Sequence, residues 1–215
     1  MHFRGMLESL TPTFTENSFD HLDAFADRGW MCIDNFLDKK TCSNLLESFQ
    51  EDLEKNRFSV AMVGKDLDQK VLESVRDSEI AWIEDWNRSA DLVNLKLTFD
   101  QYIKFFNENF FLSLKRFESQ FAIYQPGGFY KKHLDQLRGG NHRQITLIIY
   151  LNDCLDGGEL VIYNKANKNK VDQVISPECG KMVIFFSSQI YHEVRPTQQL
   201  RLSLTSWFRD DLMAF

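Results

Sequence analysis

The sequence predicts an α+β protein: a helical front half supporting an antiparallel jelly roll of about eight strands in the back half. Two patterns and one composition argument lead there. Before residue 115 the apolar residues recur at i, i+3 and i+4, the spacing that stripes one face of a helix. From Phe117 onward they fall into short alternating or wholly apolar runs broken by turn dipeptides, the pattern of an antiparallel sandwich or barrel. The chain has 215 residues, 43% of them hydrophobic and 13% aromatic, with no repeat or Pro-Ser linker, which predicts one domain over 1–215 with a sizeable core.

Taken in order, Ser18 opens a short helix through Ala26, and Gly29 ends it. Trp30 to Leu37 reads as a strand. A second helix follows Asp38, with Leu45, Leu46, Phe49 and Leu53 on one face and charged residues on the other. Phe58 to Val75 begins as an apolar strand and turns glycine-interrupted and charged; with a strand over Glu79 to Glu84 it predicts a hairpin serving as a mobile flap. A long helix spans about Ala90 to Leu112, its broad stripe suited to covering a sheet. Strands are then expected at Phe117–Tyr124, Phe129–His133, Gln144–Leu151, Gly158–Tyr163, Val171–Ile175, Lys181–Phe186, Tyr191–Val194 and Leu200–Phe208. Pro126-Gly127-Gly128, Asp156-Gly157-Gly158 and Cys179-Gly180 supply turns between them.

Charge and composition exclude several classes. The net charge of −6 provides no field for gathering phosphates, so nucleic acid is not an expected partner. No apolar stretch approaches the ~18 to 20 residues that span a bilayer, and the N-terminus has no secretory h-region, so no membrane partner and a cytoplasmic location are expected. Cys32, Cys42, Cys154 and Cys179 lack the paired spacing of a zinc site and read as free thiols. The lysine-rich stretch Asn164 to Lys170 reads as a solvated hairpin tip.

Chemistry-bearing residues gather in the strand-rich half. In His133-Leu134-Asp135 an imidazole and a carboxylate stand two apart, and on a strand such residues face the same side. Alone, such a pair arises by chance. His192, within Ile190-Tyr191-His192-Glu193-Val194, adds a second imidazole that interrupts a strand pattern. Two His and one carboxylate on neighbouring strands form the facial triad that leaves positions open on non-haem Fe(II). Nine residues on, Arg201 opens an alternating strand that places Arg201, Ser203, Thr205 and Trp207 on one face. A buried arginine there needs a carboxylate partner, and a dicarboxylate cosubstrate would supply one.

At these residues the sequence resembles the 2-oxoglutarate and Fe(II)-dependent dioxygenases, and among them the prolyl 4-hydroxylases of the hypoxia-sensing type and their bacterial relatives. The likeness runs from about Val75 to Arg209 through Phe121-Ala122-Ile123-Tyr124, Ile149-Tyr150-Leu151-Asn152, Asp156-Gly157-Gly158-Glu159-Leu160, His192-Glu193-Val194 and Arg201 to Phe208. It implies a double-stranded β-helix over 116–210, with 1–115 providing helical support and the substrate-loop region. It also implies Fe(II) held by His133, Asp135 and His192, and 2-oxoglutarate bound by Arg201 with Tyr150 at its distal carboxylate. Tyr124 would line the cosubstrate pocket and Trp207 would wall the site near the metal; dioxygen is the second cosubstrate and ascorbate a candidate reductant. Asp135 fills the place that related halogenases leave open for halide.

Arg76 and Trp82 resemble residues of a segment beside the substrate loop, and are carried over as substrate-binding. The subgroup's usual Gly-Asp is here replaced within Asp77-Ser78-Glu79, which alters that segment's ion pairing, and Glu79 is expected to pair with Arg143. The implied activity is C4 hydroxylation of a prolyl residue in a protein or peptide, by analogy elongation factor Tu, by a monomeric enzyme. The iron machinery does not identify what is oxidised, so another residue type or a free small molecule stays open. So does a non-catalytic cupin-like sensor, although the complete Arg201 and Tyr150 positions argue against it. A nucleic-acid demethylase would usually carry a second arginine where this chain has Trp207.

Overall fold

The computed structural model describes residues 18–62, 72, 74–136 and 142–212, with the backbone alone for 18–22. In chain order the elements are α1 (Ser18–Arg28), β1 (Trp30–Ile33), α2 (Lys39–Glu54), β2 (Ser59–Val60), β3 (Arg76–Asp77), β4 (Glu79–Trp82), α3 (Ala90–Phe110), β5 (Arg116–Tyr124), β6 (Phe129–His133), β7 (Arg143–Tyr150), β8 (Leu160–Tyr163), β9 (Val171–Ile175), β10 (Met182–Phe186), β11 (His192–Val194) and β12 (Arg201–Arg209). Two antiparallel sheets result, a seven-stranded one ordered β1-β10-β7-β12-β5-β4-β2 and a five-stranded one ordered β3-β6-β11-β8-β9. The expected helix-supported jelly roll is what forms.

The period of two along the central strands explains the layering. On β7, Ile145, Leu147 and Ile149 face the helices, while Thr146, Ile148 and Tyr150 face between the sheets. The helix-side core joins Phe25 of α1, Leu45 and Phe49 of α2, and Leu92, Leu95, Phe99 and Phe106 of α3 to Phe121, Ile184, Leu204 and Phe208 of the large sheet. Each such side chain contributes about 1.5–3 kcal/mol of burial. Phe99, Phe117 and Phe208 meet edge to face, with ring centres 5.3 to 6.2 Å apart.

The helices start where local chemistry lets them. Asp38 caps α2 by accepting the Thr41 N–H at 2.7 Å, and Ser89 caps α3 by accepting the Leu92 N–H at 3.3 Å. At the other end of α3, Asn107 clamps Leu114, accepting its N–H at 2.6 Å and donating to its carbonyl at 2.8 Å. Among the described residues no helix is long and apolar enough to cross a membrane.

Three strand expectations need correction. The strand from Trp30 stops at Ile33 instead of Leu37, because Asn35 turns the chain at φ 51° and Leu37 docks its N–H on the Gly180 carbonyl at 3.1 Å. The strand from Glu79 ends at Trp82 instead of Glu84. The segment between β2 and β4 is more than a hairpin: β2 pairs with β4, but β3 leaves that sheet and pairs with β6. It therefore ties the two sheets together beside the site. Most of the expected flap, residues 63–71 and 73, lies outside the described residues.

Candidate active site

β6 and β11 are antiparallel neighbours in the small sheet, and their register sets His133 directly opposite His192. Asp135 lies just beyond β6, in the bend that follows it, so it reaches the same place from off the strand, which ends at His133 as the sequence predicts. Its Oδ1 is 3.3 Å from His133 Nε2 and 3.7 Å from His192 Nε2, and the three ligand atoms all lie within 4.8 Å of one another.

Backbone carbonyls fix both rings. His133 Nδ1 is 2.7 Å from the Lys131 carbonyl and His192 Nδ1 is 3.1 Å from that of Ile190, so each Nδ1–H donates outward and each Nε2 lone pair faces Asp135. Tyr130 stacks on His133 at 3.5 Å, and Phe185 lies 4.5 Å from His192. Burial, followed by the neighbouring His133, pushes His192 down to about 4, which keeps it neutral at physiological pH. Burial alone would raise the Asp135 carboxyl, yet His192, His133 and Arg143 outweigh it and hold the group well below the usual carboxylate range. Two imidazoles and a carboxylate are the donor set that a divalent iron takes.

Thr146 on β7 donates its hydroxyl to Asp135 Oδ2 at 2.8 Å, and the Trp207 indole on β12 donates to the same oxygen at 2.9 Å. Sequence reasoning missed Thr146. The available signal was a hydroxyl at an inward position within the apolar run Gln144 to Leu151.

His133, Asp135 and His192 line a cavity of about 230 Å³ that Arg201, Tyr124 and Trp207 also line. Arg201 is 1% exposed. Its Nε donates to the Gly158 carbonyl at 3.0 Å and its Nη1 to Ser203 Oγ at 3.4 Å, and its guanidinium lies 4.9 Å from the Tyr124 ring and 5.0 Å from that of Tyr150. Among the described residues no carboxylate forms an ion pair with it, although a buried guanidinium is costly without one. Tyr150 is fully buried beside it, off the cavity wall, and among the described residues its hydroxyl has no hydrogen-bond partner. Burial pushes that hydroxyl up to about 12 against the opposing pull of Arg201, so Tyr150 stays a neutral donor. A cationic fork and an unpaired hydroxyl side by side fit a carboxylate entering from the cavity.

Arg76 and Trp82 both reach the cavity wall. Arg76 donates to Ser78 Oγ at 2.7 Å and lies 4.7 Å over the Tyr130 ring, hence behind His133. Trp82 is 44% exposed and tilts onto Trp207 at 6.0 Å, and with Val60 and Met62 it makes an exposed apolar rim. The expected Glu79–Arg143 pair does not form. Arg143 donates to Glu118 at 2.8 Å and lies 3.7 Å over the Trp207 ring.

Comparison with known proteins agrees with this geometry. Residues 119–209 match the model of the 2OG-Fe(II) oxygenase superfamily. A Pseudomonas putida prolyl-4-hydroxylase is similar in structure, with a TM-score of 0.77 and 30% identity, over 89% of this chain and 97% of that one. A Trichoplax adhaerens prolyl hydroxylase, solved with a hypoxia inducible factor peptide fragment, has a TM-score of 0.77 and 24% identity, over 92% and 93% of the two chains. Mouse prolyl hydroxylase EGLN3 is 27% identical over an alignment of 145 residues that covers 63% of this chain but only 59% of the mouse protein.

Proposed function

Because this chain belongs to the 2OG-Fe(II) oxygenase superfamily and is of the prolyl-hydroxylase type, we propose that it hydroxylates C4 of a prolyl residue in a protein substrate. When bound, Fe(II) supplies redox chemistry that couples decarboxylation of 2-oxoglutarate by dioxygen, giving succinate and carbon dioxide, to insertion of the other oxygen atom into a substrate C–H bond.

In this reading His133, Asp135 and His192 hold the iron, and the carbonyls of Lys131 and Ile190 keep both Nε2 lone pairs directed at it. Arg201 takes the distal carboxylate of 2-oxoglutarate, and Tyr150 donates its hydroxyl to the same group. Tyr124 walls the cosubstrate and Trp207 walls the metal side of the cavity. Arg76 and Trp82 meet the substrate. The exposed rim of Val60, Met62 and Trp82 suits the apolar body of a proline and its neighbours.

One observation carries the proposal: the His-Asp-His cluster and an unpaired buried arginine share one cavity. Elongation factor Tu is the candidate target that the bacterial resemblance implies, and we expect the enzyme to act on it as a monomer. The test is incubation with Fe(II), 2-oxoglutarate and either a prolyl peptide or elongation factor Tu, followed by succinate assay and fragment mass analysis. The expected result is peptide-dependent succinate and one added oxygen on proline. Oxygen added to another residue, or to no peptide at all, would overturn the assignment.

A further inference from the structure

Thr146 and Trp207 are direct cross-strand partners on β7 and β12, and both lie on strand faces turned between the sheets, where Trp207 lines the cavity. Their donors converge on Oδ2 of Asp135 at 2.8 and 2.9 Å, whereas Oδ1 is the oxygen beside His133 Nε2 and His192 Nε2. The two oxygens of one carboxylate are thus given different tasks. We propose that Thr146 and Trp207 are positioning residues that lock Asp135 so that Oδ1, and not Oδ2, is presented to the metal, with Ser187 fixing the hydroxyl of Thr146. The proposal rests on reading His133, Asp135 and His192 as the iron ligands.

Proton counting assigns the direction of the chain. Thr146 has a single hydroxyl proton, and it goes to Asp135 Oδ2 at 2.8 Å. Ser187 Oγ lies 2.8 Å from Thr146 Oγ1, and with that proton committed Ser187 must be the donor between them. Thr146 and Ser187 are fully buried, so water does not compete for either hydroxyl. The indole is held as firmly: the Arg143 guanidinium lies 3.7 Å over its ring, and Glu118 holds Arg143 at 2.8 Å.

The lock matters because Asp135 stands in the bend after β6, where no strand ladder fixes it. Each carboxylate oxygen offers about two lone-pair sites, and two donors engage Oδ2. A second metal bond through Oδ2 would have to break one of those hydrogen bonds. A carboxylate confined to one metal bond would leave the bound iron open to a chelating cosubstrate and dioxygen.

Manganese(II) binding tests this without substrate or turnover, by following the electron paramagnetic resonance signal of the free ion. Thr146→Val preserves shape and removes the donor; Thr146→Ser restores it; Trp207→Phe removes the indole N–H. Loss of a group that orients a metal ligand typically costs about 10- to 100-fold in affinity. We expect Thr146→Val and Trp207→Phe each to weaken manganese at least about tenfold, and Thr146→Ser to bind close to wild type. Should Thr146→Val fail to fold, as judged by circular dichroism, Trp207→Phe carries the same test. Wild-type affinity in both donor-lacking variants would overturn the proposal, and so would equal weakening in Thr146→Ser and Thr146→Val, which would make the effect one of packing. No manganese binding by the wild-type protein would overturn the metal centre and the lock together. Tight binding that responds to the variants, in a protein that leaves prolyl peptides untouched, would support the lock and overturn only the substrate.

Discussion

His133 and His192 are cross-strand partners at the junction of β6 and β11, each with its Nδ1 turned to a carbonyl two residues earlier in its own chain segment, Lys131 and Ile190. The repeated i−2 contact makes the two imidazoles present the same nitrogen to Asp135. Pairing between β6 and β11 therefore sets both imidazoles of the candidate metal centre opposite one another. His133→Ala is expected to lose stoichiometric iron while the far-ultraviolet circular dichroism is retained. Metal analysis of the purified variant checks this, and full iron occupancy would refute the ligand set.

Arg201→Lys keeps the charge and loses the fork. A charged hydrogen bond contributes about 1.5–3 kcal/mol, which corresponds to roughly a ten- to hundredfold rise in the apparent 2-oxoglutarate constant at 1.4 kcal/mol per decade. Iron binding should persist, since Arg201 contacts Gly158, Ser203 and two tyrosine rings but none of the three ligands. An unchanged cosubstrate constant would place the anchor elsewhere.

The two glycines that precede β8 should answer differently to alanine. Both are left-handed, Gly157 at φ 72° and Gly158 at φ 70°, so either substitution brings backbone strain. A Cβ on Gly157 would stand 2.4 Å from the Pro196 carbonyl oxygen, a backbone clash, whereas one on Gly158 would stand 3.1 Å from Arg201 Cδ and from Thr197 Oγ1. Gly157→Ala is expected to lower the melting temperature more. Gly158→Ala is expected to weaken 2-oxoglutarate binding more, because it crowds Arg201 and disturbs the carbonyl that receives its Nε. Melting curves and cosubstrate titrations on both variants separate the two effects.

The alternating face of β12 was legible because period two needs no partner to be read: Arg201, Ser203, Thr205 and Trp207 all reach the cavity wall. The lock on Asp135 was not, since Trp207 lies 72 residues from Asp135, and Ser187 lies 41 from Thr146. Side-chain hydrogen bonds of that range depend on strand order, which local pattern does not encode. The expected Glu79–Arg143 pair failed for the same reason. In the order β7-β12-β5-β4, Glu79 on β4 lies beyond both β12 and β5 from Arg143, while Glu118 on β5 is one strand nearer and takes the guanidinium.

Trp82→Ala should separate substrate binding from cosubstrate turnover. Trp82 is half-exposed on the rim of the cavity and packs on the Trp207 ring, so its loss removes apolar surface without removing a metal ligand or Arg201. Loss of a buried aromatic contact at an interface typically costs about 1–2 kcal/mol or more. The Michaelis constant for a prolyl peptide is expected to rise roughly tenfold, with peptide-independent succinate formation unchanged. Parallel loss of both would mean that Trp82 supports the cavity instead of the substrate.

Far from the cavity, on the helix side of the large sheet, Asp52 holds the end of α2 to the loop that enters α3. Its carboxylate is fully buried and takes both Nη groups of Arg88, with Nη2 to Oδ2 at 2.6 Å, and Arg57 Nη1 at 2.9 Å. The Arg88 side chain is 11% exposed and that of Arg57 49% exposed, so losing Asp52, which strands the buried Arg88, should cost more than losing Arg57. Removing one partner of a buried pair strands the other charge and costs about 3–5 kcal/mol, while an exposed pair contributes about 0–1 kcal/mol. Asp52→Ala is therefore expected to destabilise by about 3 kcal/mol, the low end because Arg88 keeps some solvent. Arg57→Ala should cost under about 1 kcal/mol. At roughly 2–4 °C per kcal/mol for a chain of this size, Asp52→Ala should melt about 6–12 °C lower. Manganese affinity at a temperature where both variants are folded should match wild type, because neither residue lines the cavity. A fall in metal affinity at that temperature would mean that the helix layer positions the site directly, and equal destabilisation by the two variants would show that solvent exposure does not set the strength of these bonds.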